Sequence, residues 1–212
     1  PLDTAGAIRF AADSIGVDDT FVVANGDVMT DLDVAALVAR HHDVGAEATV
    51  HLIGVEDPSA FGVVDLADDG RVRAFVEKPA PGEEPSNLVN AGTYVFEPSM
   101  LDRIPPGRKV SVERDVFPAV AADGRLYGVA TDDYWLDAGR PELYRAANLD
   151  LLDGRRVHDR CEAVAPSASI DPTATIDNSI VGEHAVVGAG AVVVDSVLLP
   201  EAAVAAGARV VR

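Results

Sequence analysis

The sequence predicts an α/β fold with a mixed sheet over residues 1–154, a linker over 155–165 and a short left-handed parallel β-helix over 166–212. Three observations lead there. Helical and strand periods alternate as far as about Asp153, with glycine or proline between them. Asp68-Asp69-Gly70 lies between two apolar runs as a hairpin turn would, which brings antiparallel pairing into the sheet. Beyond Cys161 the helical period disappears and apolar residues recur at six-residue spacing.

Taken in order, Thr4 reads as the cap of a helix over Ala5 to Ser14 that stops at Gly16. The apolar run Phe21 to Ala24 has the length and composition of a buried strand. A second helix over Asp33 to His42 ends at Gly45, and Ala48 to Val55 is the next strand. Winding of this kind favours parallel strands. Phe61 to Leu66 and Arg71 to Glu77 are the arms of the hairpin. After the stretch rich in proline and glutamate at Pro79 to Asn87 come strands at Asn90 to Phe96 and Leu126 to Ala130, then a Tyr134-Trp135 loop. Pro141 suits the first turn of a helix reaching Leu152, with Gly154 closing it.

In the last 52 residues there are twelve alanines, eleven valines and no aromatic side chain, so whatever core forms there is built from small aliphatic groups. Ile170 and Ile176, then after a five-residue slip Val181, Val187, Val193 and Leu199, followed by Ala205 and Val211, mark the expected inward positions; Gly182 and Gly188 follow two of them. A hexapeptide period of this kind builds triangular coils of three short strands. One coil cannot bury its own face, so a run this short is expected to stack on the preceding domain, on a continuation or on another subunit. A role in homo-oligomerisation, or in covering an apolar face of the sheet domain, is expected for the tail.

Charge and composition exclude several classes. With 35 acidic residues against 17 basic, the net charge of -18 argues against a nucleic-acid backbone as partner, though not against a small phosphate ligand held by a few local cations. No stretch approaches the length of an apolar membrane span. The single cysteine, Cys161, cannot form an internal disulfide, and no secretory leader is recognisable, so a cytoplasmic location is expected. Both ends read as cut: the chain opens on Pro1 and closes on Val-Val-Arg within an apolar pattern.

Ligands of open α/β sheets bind beyond the carboxyl ends of strands, which directs attention to polar residues after apolar runs. Asn25-Gly26-Asp27 is the first, although an aspartate that ends a strand serves as readily in a turn or a helix cap. Glu77-Lys78-Pro79 is the second: Lys78 is one of two lysines in the chain and could neutralise a phosphate, while Glu77 could accept sugar hydroxyls. An exposed strand end would look the same. Asn90-Ala91-Gly92 could hold a polyhydroxyl ligand or simply begin a strand. Trp135-Leu136-Asp137-Ala138-Gly139 offers a second carboxylate, which with Asp27 could share a magnesium ion with phosphate oxygens.

These motifs, together with Pro1-Leu2-Asp3-Thr4-Ala5-Gly6-Ala7 and Phe61-Gly62-Val63-Val64, occur in an order and spacing that resembles the sugar-1-phosphate nucleotidylyltransferases, nearest to the bacterial mannose-1-phosphate guanylyltransferases and their glucose-1-phosphate-using relatives. The resemblance runs from Pro1 to about Gly154. It implies a Rossmann-like nucleotidyltransferase domain, incomplete at its N-terminal side, and transfer of a nucleoside monophosphate from an NTP to a sugar-1-phosphate, with GDP-mannose as the first product to test. It implies that Asp27 and Asp137 bind Mg2+, that Lys78 meets the sugar phosphate, that Gly62, Glu77, Asn90 and Gly92 line the sugar pocket, and that Thr4, Ala5 and Gly6 belong to the nucleoside-binding turn. Asp27, Lys78 and Asp137 are the catalytic set. Arg9 and Arg140 are cations with no motif that places them on a phosphate.

Two departures stand out. The family's opening strand and Gly-x-Gly-Thr-Arg-Leu loop are absent, so the 212 residues alone are expected not to turn over. Asp3 stands where the family has glycine, and an aspartate tolerates positive φ less well and adds an anion near the nucleotide. Two further readings remain open: a non-catalytic sugar-phosphate-binding regulatory subunit of the same fold, and a hexapeptide acyltransferase with His184 as base.

Overall fold

The computed structural model describes residues 1–156 and 162–212, so Cys161 and the middle of the expected linker lie outside the described residues. Its contacts divide into two units, Pro1–Val28 with Leu32–Trp135, and Met29–Asp31 with Leu136–Arg212. In chain order the elements up to residue 152 are α1 (Asp3–Ile15), β1 (Phe21–Ala24), β2 (Val28–Thr30), α2 (Val34–Val44), β3 (Ala48–Gly54), β4 (Gly62–Leu66), β5 (Val72–Glu77), β6 (Leu88–Phe96), α3 (Phe117–Ala122), β7 (Leu126–Thr131), β8 (Trp135–Asp137) and α4 (Pro141–Leu152).

Local chemistry accounts for most of the boundaries in the first unit. Gly16 and Gly45 end α1 and α2 in left-handed geometry at φ +67° and +60°, each returning its N–H to the last turn. Asp33 caps α2 by accepting the Ala36 N–H at 2.9 Å. Thr4 does not cap α1: the helix already includes Asp3, and Leu2 at the cap position makes no side-chain bond. The Thr4 hydroxyl is instead drawn to a distant segment, as described below.

The sheet runs β5-β4-β6-β3-β7, with β1 also on β6. It is mixed, as the hairpin required: β3 and β7 are parallel, while β6 is antiparallel to β1, β3 and β4. The parallel winding expected from β1 through α2 to β3 is satisfied across an intervening strand, because β6 inserts between the two. The β4–β5 hairpin closes where expected, with Gly70 at φ +89° and its N–H on Ala67 O at 2.9 Å.

One face of this sheet carries the core. Val50, Leu52, Val64, Phe75, Tyr94 and Phe96 project from the strands against Met100, Ile104, Val112, Val116 and Phe117. Phe75, Tyr94 and Phe96 meet Phe117 with centroids 5.2, 5.3 and 6.1 Å away. The covering segment consists of a 3-10 turn at Pro98–Arg103, a π-turn at Val112–Val116 and α3. None of these was expected from the sequence, since each is too short to show a helical period and two carry prolines.

β2 pairs with β8, and the second unit holds eight further short strands: β9 (Ser169–Ile170), β10 (Thr175–Asp177), β11 (Ile180–Val181), β12 (Val186–Val187), β13 (Val192–Val194), β14 (Val197–Leu198), β15 (Ala203–Val204) and β16 (Arg209–Val211). They pair in parallel as β10-β13-β16, β11-β14 and β9-β12-β15. Side-chain bonds join residues 17 apart, among them Asn178 to Asp195 and Ser196 N–H to Ser179. A repeat of 17 corresponds to two steps of six and one of five, so the five-residue slip belongs to every turn of the repeat.

The inward residues are accordingly Val181, Val187, Val193, Leu198 and Val204, with Val210 packed against them. Leu199, Ala205 and Val211, expected inside, point outward instead, because the six-residue count was carried past a second slip between Val193 and Leu198. Positive-φ residues recur in the same rhythm at Asn178, His184, Gly190, Asp195, Glu201 and Gly207. Gly182 is required for another reason: a Cβ there would lie 2.7 Å from Pro200 N on the next layer.

Candidate functional site

The register of the β4–β5 hairpin sets Gly62 directly opposite Glu77, and the antiparallel step Val63↔Val89 brings Gly62 level with Asn90. Glu77, Gly62 and Asn90 therefore form a row across three strands. A Cβ on Gly62 would meet the Phe75 ring at 2.8 Å and Glu77 Oε2 at 2.9 Å, so the glycine makes room for the carboxylate. Burial holds the Glu77 carboxyl above the usual carboxylate range, with the Glu113 charge pushing the same way and Lys78 and Arg114 opposing. Lys78 follows at φ +50°, its N–H on Phe61 O at 3.0 Å, which turns the chain sharply out of the strand.

Asn90 donates to the Tyr94 hydroxyl at 2.8 Å and accepts the Gly92 N–H at 3.0 Å, which fixes its amide across the row. Gly92 sits at φ +78°, where a Cβ would lie 2.7 Å from the Asn25 side-chain nitrogen, and its carbonyl accepts the Asn25 N–H at 2.8 Å. The Asn25-Gly26-Asp27 turn thus lies against the Asn90-Ala91-Gly92 turn. Trp135 locks the same corner, its indole N–H on Ala91 O at 2.9 Å and its ring edge-on to Phe61 at 5.7 Å.

Thr4, Ala5 and Gly6 are stitched to the covering segment. Ala5 and Gly6 N–H groups both reach Val110 O, at 3.0 and 3.2 Å, and a Cβ on Gly6 would collide with Arg108 O at 2.5 Å. The Thr4 hydroxyl donates to Glu113 Oε2 and accepts the Val112 N–H, both at 2.8 Å. Ser111 donates to the same Glu113 oxygen at 2.8 Å. Sequence reading missed Glu113, whose charge also bears on Glu77 and on the Tyr94 phenol, which burial pushes up. The available signal was Ser111-Val112-Glu113 just before the Phe117-Pro118 turn, and a π-turn is a recurrent marker of functional positions.

Asp27 is exposed in the first unit; Asp137 lies in the second, with Oδ1 on the Gly139 N–H at 2.9 Å. Among the described residues no group of three or more His, Cys, Asp or Glu side chains could hold a metal. Asp27 and Asp137 each carry the hard oxygen donors that magnesium takes, with water and phosphate oxygens completing its shell. Of the two cations without a motif, Arg9 is taken up by Asp13 and Leu101 O, and Arg140 lies near Glu142. No helix among the described residues is long and apolar enough to cross a membrane.

The row offers a carboxylate and an amide for hydroxyl groups, with a lysine next to it in the chain for a phosphate. The pattern for the family described as Nucleotidyl transferase matches residues 1–154. The chain is 45% identical over 156 residues to a mannose-1-phosphate guanylyltransferase of Mycobacterium tuberculosis, covering 73% of this chain and 43% of that protein. It is 40% identical over 172 residues to a mannose-1-phosphate guanyltransferase of Schizosaccharomyces pombe, covering 80% and 46%. It therefore spans less than half the length of these curated relatives. Among solved structures, HddC from Yersinia pseudotuberculosis complexed with GMP-PN aligns with TM-score 0.56 and 30% identity over 69% of this chain and 61% of that one. With strand register, turn glycines and sequence identity all pointing one way, the chain belongs to the nucleotidyl transferase family.

Proposed function

We propose that the first unit binds a sugar-1-phosphate and that the protein transfers a nucleoside monophosphate to it from an NTP, giving an NDP-sugar and pyrophosphate. The row Glu77–Gly62–Asn90 with Lys78 at its end carries this reading. The similarity to mannose-1-phosphate guanylyltransferases makes mannose-1-phosphate and GTP the first pair to test.

In the proposed reaction a phosphate oxygen of the sugar-1-phosphate forms a bond to the α-phosphorus of the NTP while the bond to the β-phosphate's bridging oxygen breaks. Pyrophosphate carries away the electron pair. The attacking oxygen is already an anion at neutral pH, so no base is needed, and the protein's work is positioning and charge neutralisation. Glu77 and Asn90 orient the sugar hydroxyls and Lys78 sits on its phosphate. Asp27 and Asp137 are the proposed holders of Mg2+, which when bound neutralises charge on the phosphate oxygens. The stacked parallel strands of the second unit fit a left-handed β-helix, for which we propose a role in self-association.

The test is pyrophosphate release by the protein expressed from its complete gene, with each NTP, mannose-1-phosphate or glucose-1-phosphate, and magnesium. Turnover is expected with GTP and mannose-1-phosphate, and loss of at least ~100-fold in Asp27→Ala and Asp137→Ala, as removal of a catalytic charge entails. Folded protein that releases none with any pair, or turnover indifferent to both substitutions, contradicts it.

A further inference from the structure

Glu113 is a half-buried carboxylate to which the proposed reaction gives no work. It lies in the π-turn, which packs against β5, the strand that ends in Glu77. The Thr4 and Ser111 hydroxyls both donate to its Oε2 at 2.8 Å, and Thr4 is itself fixed by accepting the Val112 N–H at 2.8 Å. One carboxylate oxygen is thereby saturated and the group is oriented, while among the described residues nothing bonds to Oε1. Nor does a cation neutralise it: the guanidinium of Arg114, the next residue, is drawn to Asp3 Oδ2 at 3.0 Å. What the Glu113 charge acts on shows where it stands. It pushes the Glu77 carboxyl up and bears on the Tyr94 phenol, to whose oxygen Asn90 donates at 2.8 Å. Glu113 is therefore a neighbour of the Glu77–Gly62–Asn90 row.

We propose that Glu113 is a further hydroxyl-binding residue of this site, its free Oε1 accepting a sugar hydroxyl alongside Glu77 and Asn90, with the Thr4 and Ser111 hydroxyls holding it in place; this rests on the proposed function. Two neighbouring carboxylates repel one another, and hydroxyl groups that donate to both relieve that repulsion with charge-assisted hydrogen bonds. The same pair repels a phosphate. The ligand is thus oriented end to end, its phosphate toward Lys78 and its hydroxyl-bearing edge toward Glu77 and Glu113, and a neutral polyhydroxyl ring is preferred to one that carries a second acid group. The Thr4 hydroxyl is fully used in holding Glu113 and Val112.

The test is a cycle of residue against ligand, read by calorimetric titration of the protein expressed from its complete gene. Wild type and Glu113→Gln, each checked as folded by its urea transition, are titrated with mannose-1-phosphate and with its monodeoxy analogues. Glutamine keeps a side-chain oxygen for the Thr4 and Ser111 hydroxyls and removes only the charge. Glu113→Gln should weaken mannose-1-phosphate by ~10-fold, the loss of one hydrogen bond to a charged group. For one analogue, the one that lacks the bonded hydroxyl, wild type and variant should agree within ~2-fold, the non-additivity expected of a pair in contact. A loss of the same size for every analogue makes Glu113 a support of the covering segment and overturns the assignment, as does unchanged binding of mannose-1-phosphate. Folded wild type that binds no mannose-1-phosphate overturns the proposed function itself, so the two failures are told apart.

Discussion

Gly62 and His51 show two ways in which one residue sets the behaviour of the first unit. At Gly62 the missing Cβ is what admits the Glu77 carboxylate, so Gly62→Ala should displace it and weaken sugar-phosphate binding by ~10-fold or more, as misplacement of a binding group does. His51 is fully buried; Nε2 meets Thr131 Oγ1 at 2.7 Å, and Nδ1 has no hydrogen-bond partner. Burial lowers its pKa from 6.5 to about 4, against a smaller upward pull from Asp133. The unfolded chain therefore binds the extra proton first, so this contribution to stability is complete above pH 6.5 and is lost as pH falls toward 4, by about 3 kcal/mol. His51→Leu should flatten the fall of urea-derived stability over that window; an unchanged slope contradicts it. His41, lowered by burial in the same direction, leaves some slope behind. At this scale Gly62, Glu77 and Asn90 were named from the order of their motifs, and the strand register sets them in one row. Glu113 and Arg114 were not, because their partners Thr4 and Asp3 stand 109 and 111 positions away.

At the scale of elements, strands with an uninterrupted apolar run were readable almost to the residue, as β1 shows, and helices were readable where a cap or a left-handed glycine marked an end, as Asp33 and Gly45 do for α2. Three-residue strands such as β2 and β8 have no period to read and exist through their pairing. The repeat was legible in its period and misread in its phase, and that error has a measurable consequence. Leu198 is 7% exposed and Leu199 56%. Leu198→Ala should cost about 2–4 kcal/mol through lost burial and a cavity, while Leu199→Ala should stay within about 0.5 kcal/mol. Urea denaturation of the two variants decides it, and the reverse order of cost would restore the uninterrupted six-residue phase.

Across the whole molecule, a net charge of -18 opposes compaction, while its ion pairs support it. Many of those pairs are exposed, among them Arg71–Asp69 and Arg140–Glu142, and exposed pairs contribute little. Screening should therefore relieve more repulsion than attraction, and raising sodium chloride from 20 to 200 mM should raise the melting temperature by ~2–4 °C, equivalent to about 1 kcal/mol at this length. A fall would mean that the ion pairs dominate. We propose that the turns gathered around Glu77, Lys78 and Asn90 hold a sugar-1-phosphate. Calorimetric titration of mannose-1-phosphate into wild type, Gly62→Ala and Lys78→Met tests it most directly. Saturable binding by wild type, weakened by ~10-fold or more in both variants while their urea transitions show them folded, is expected. Folded wild type that binds none, or binding that both substitutions leave untouched, would contradict it.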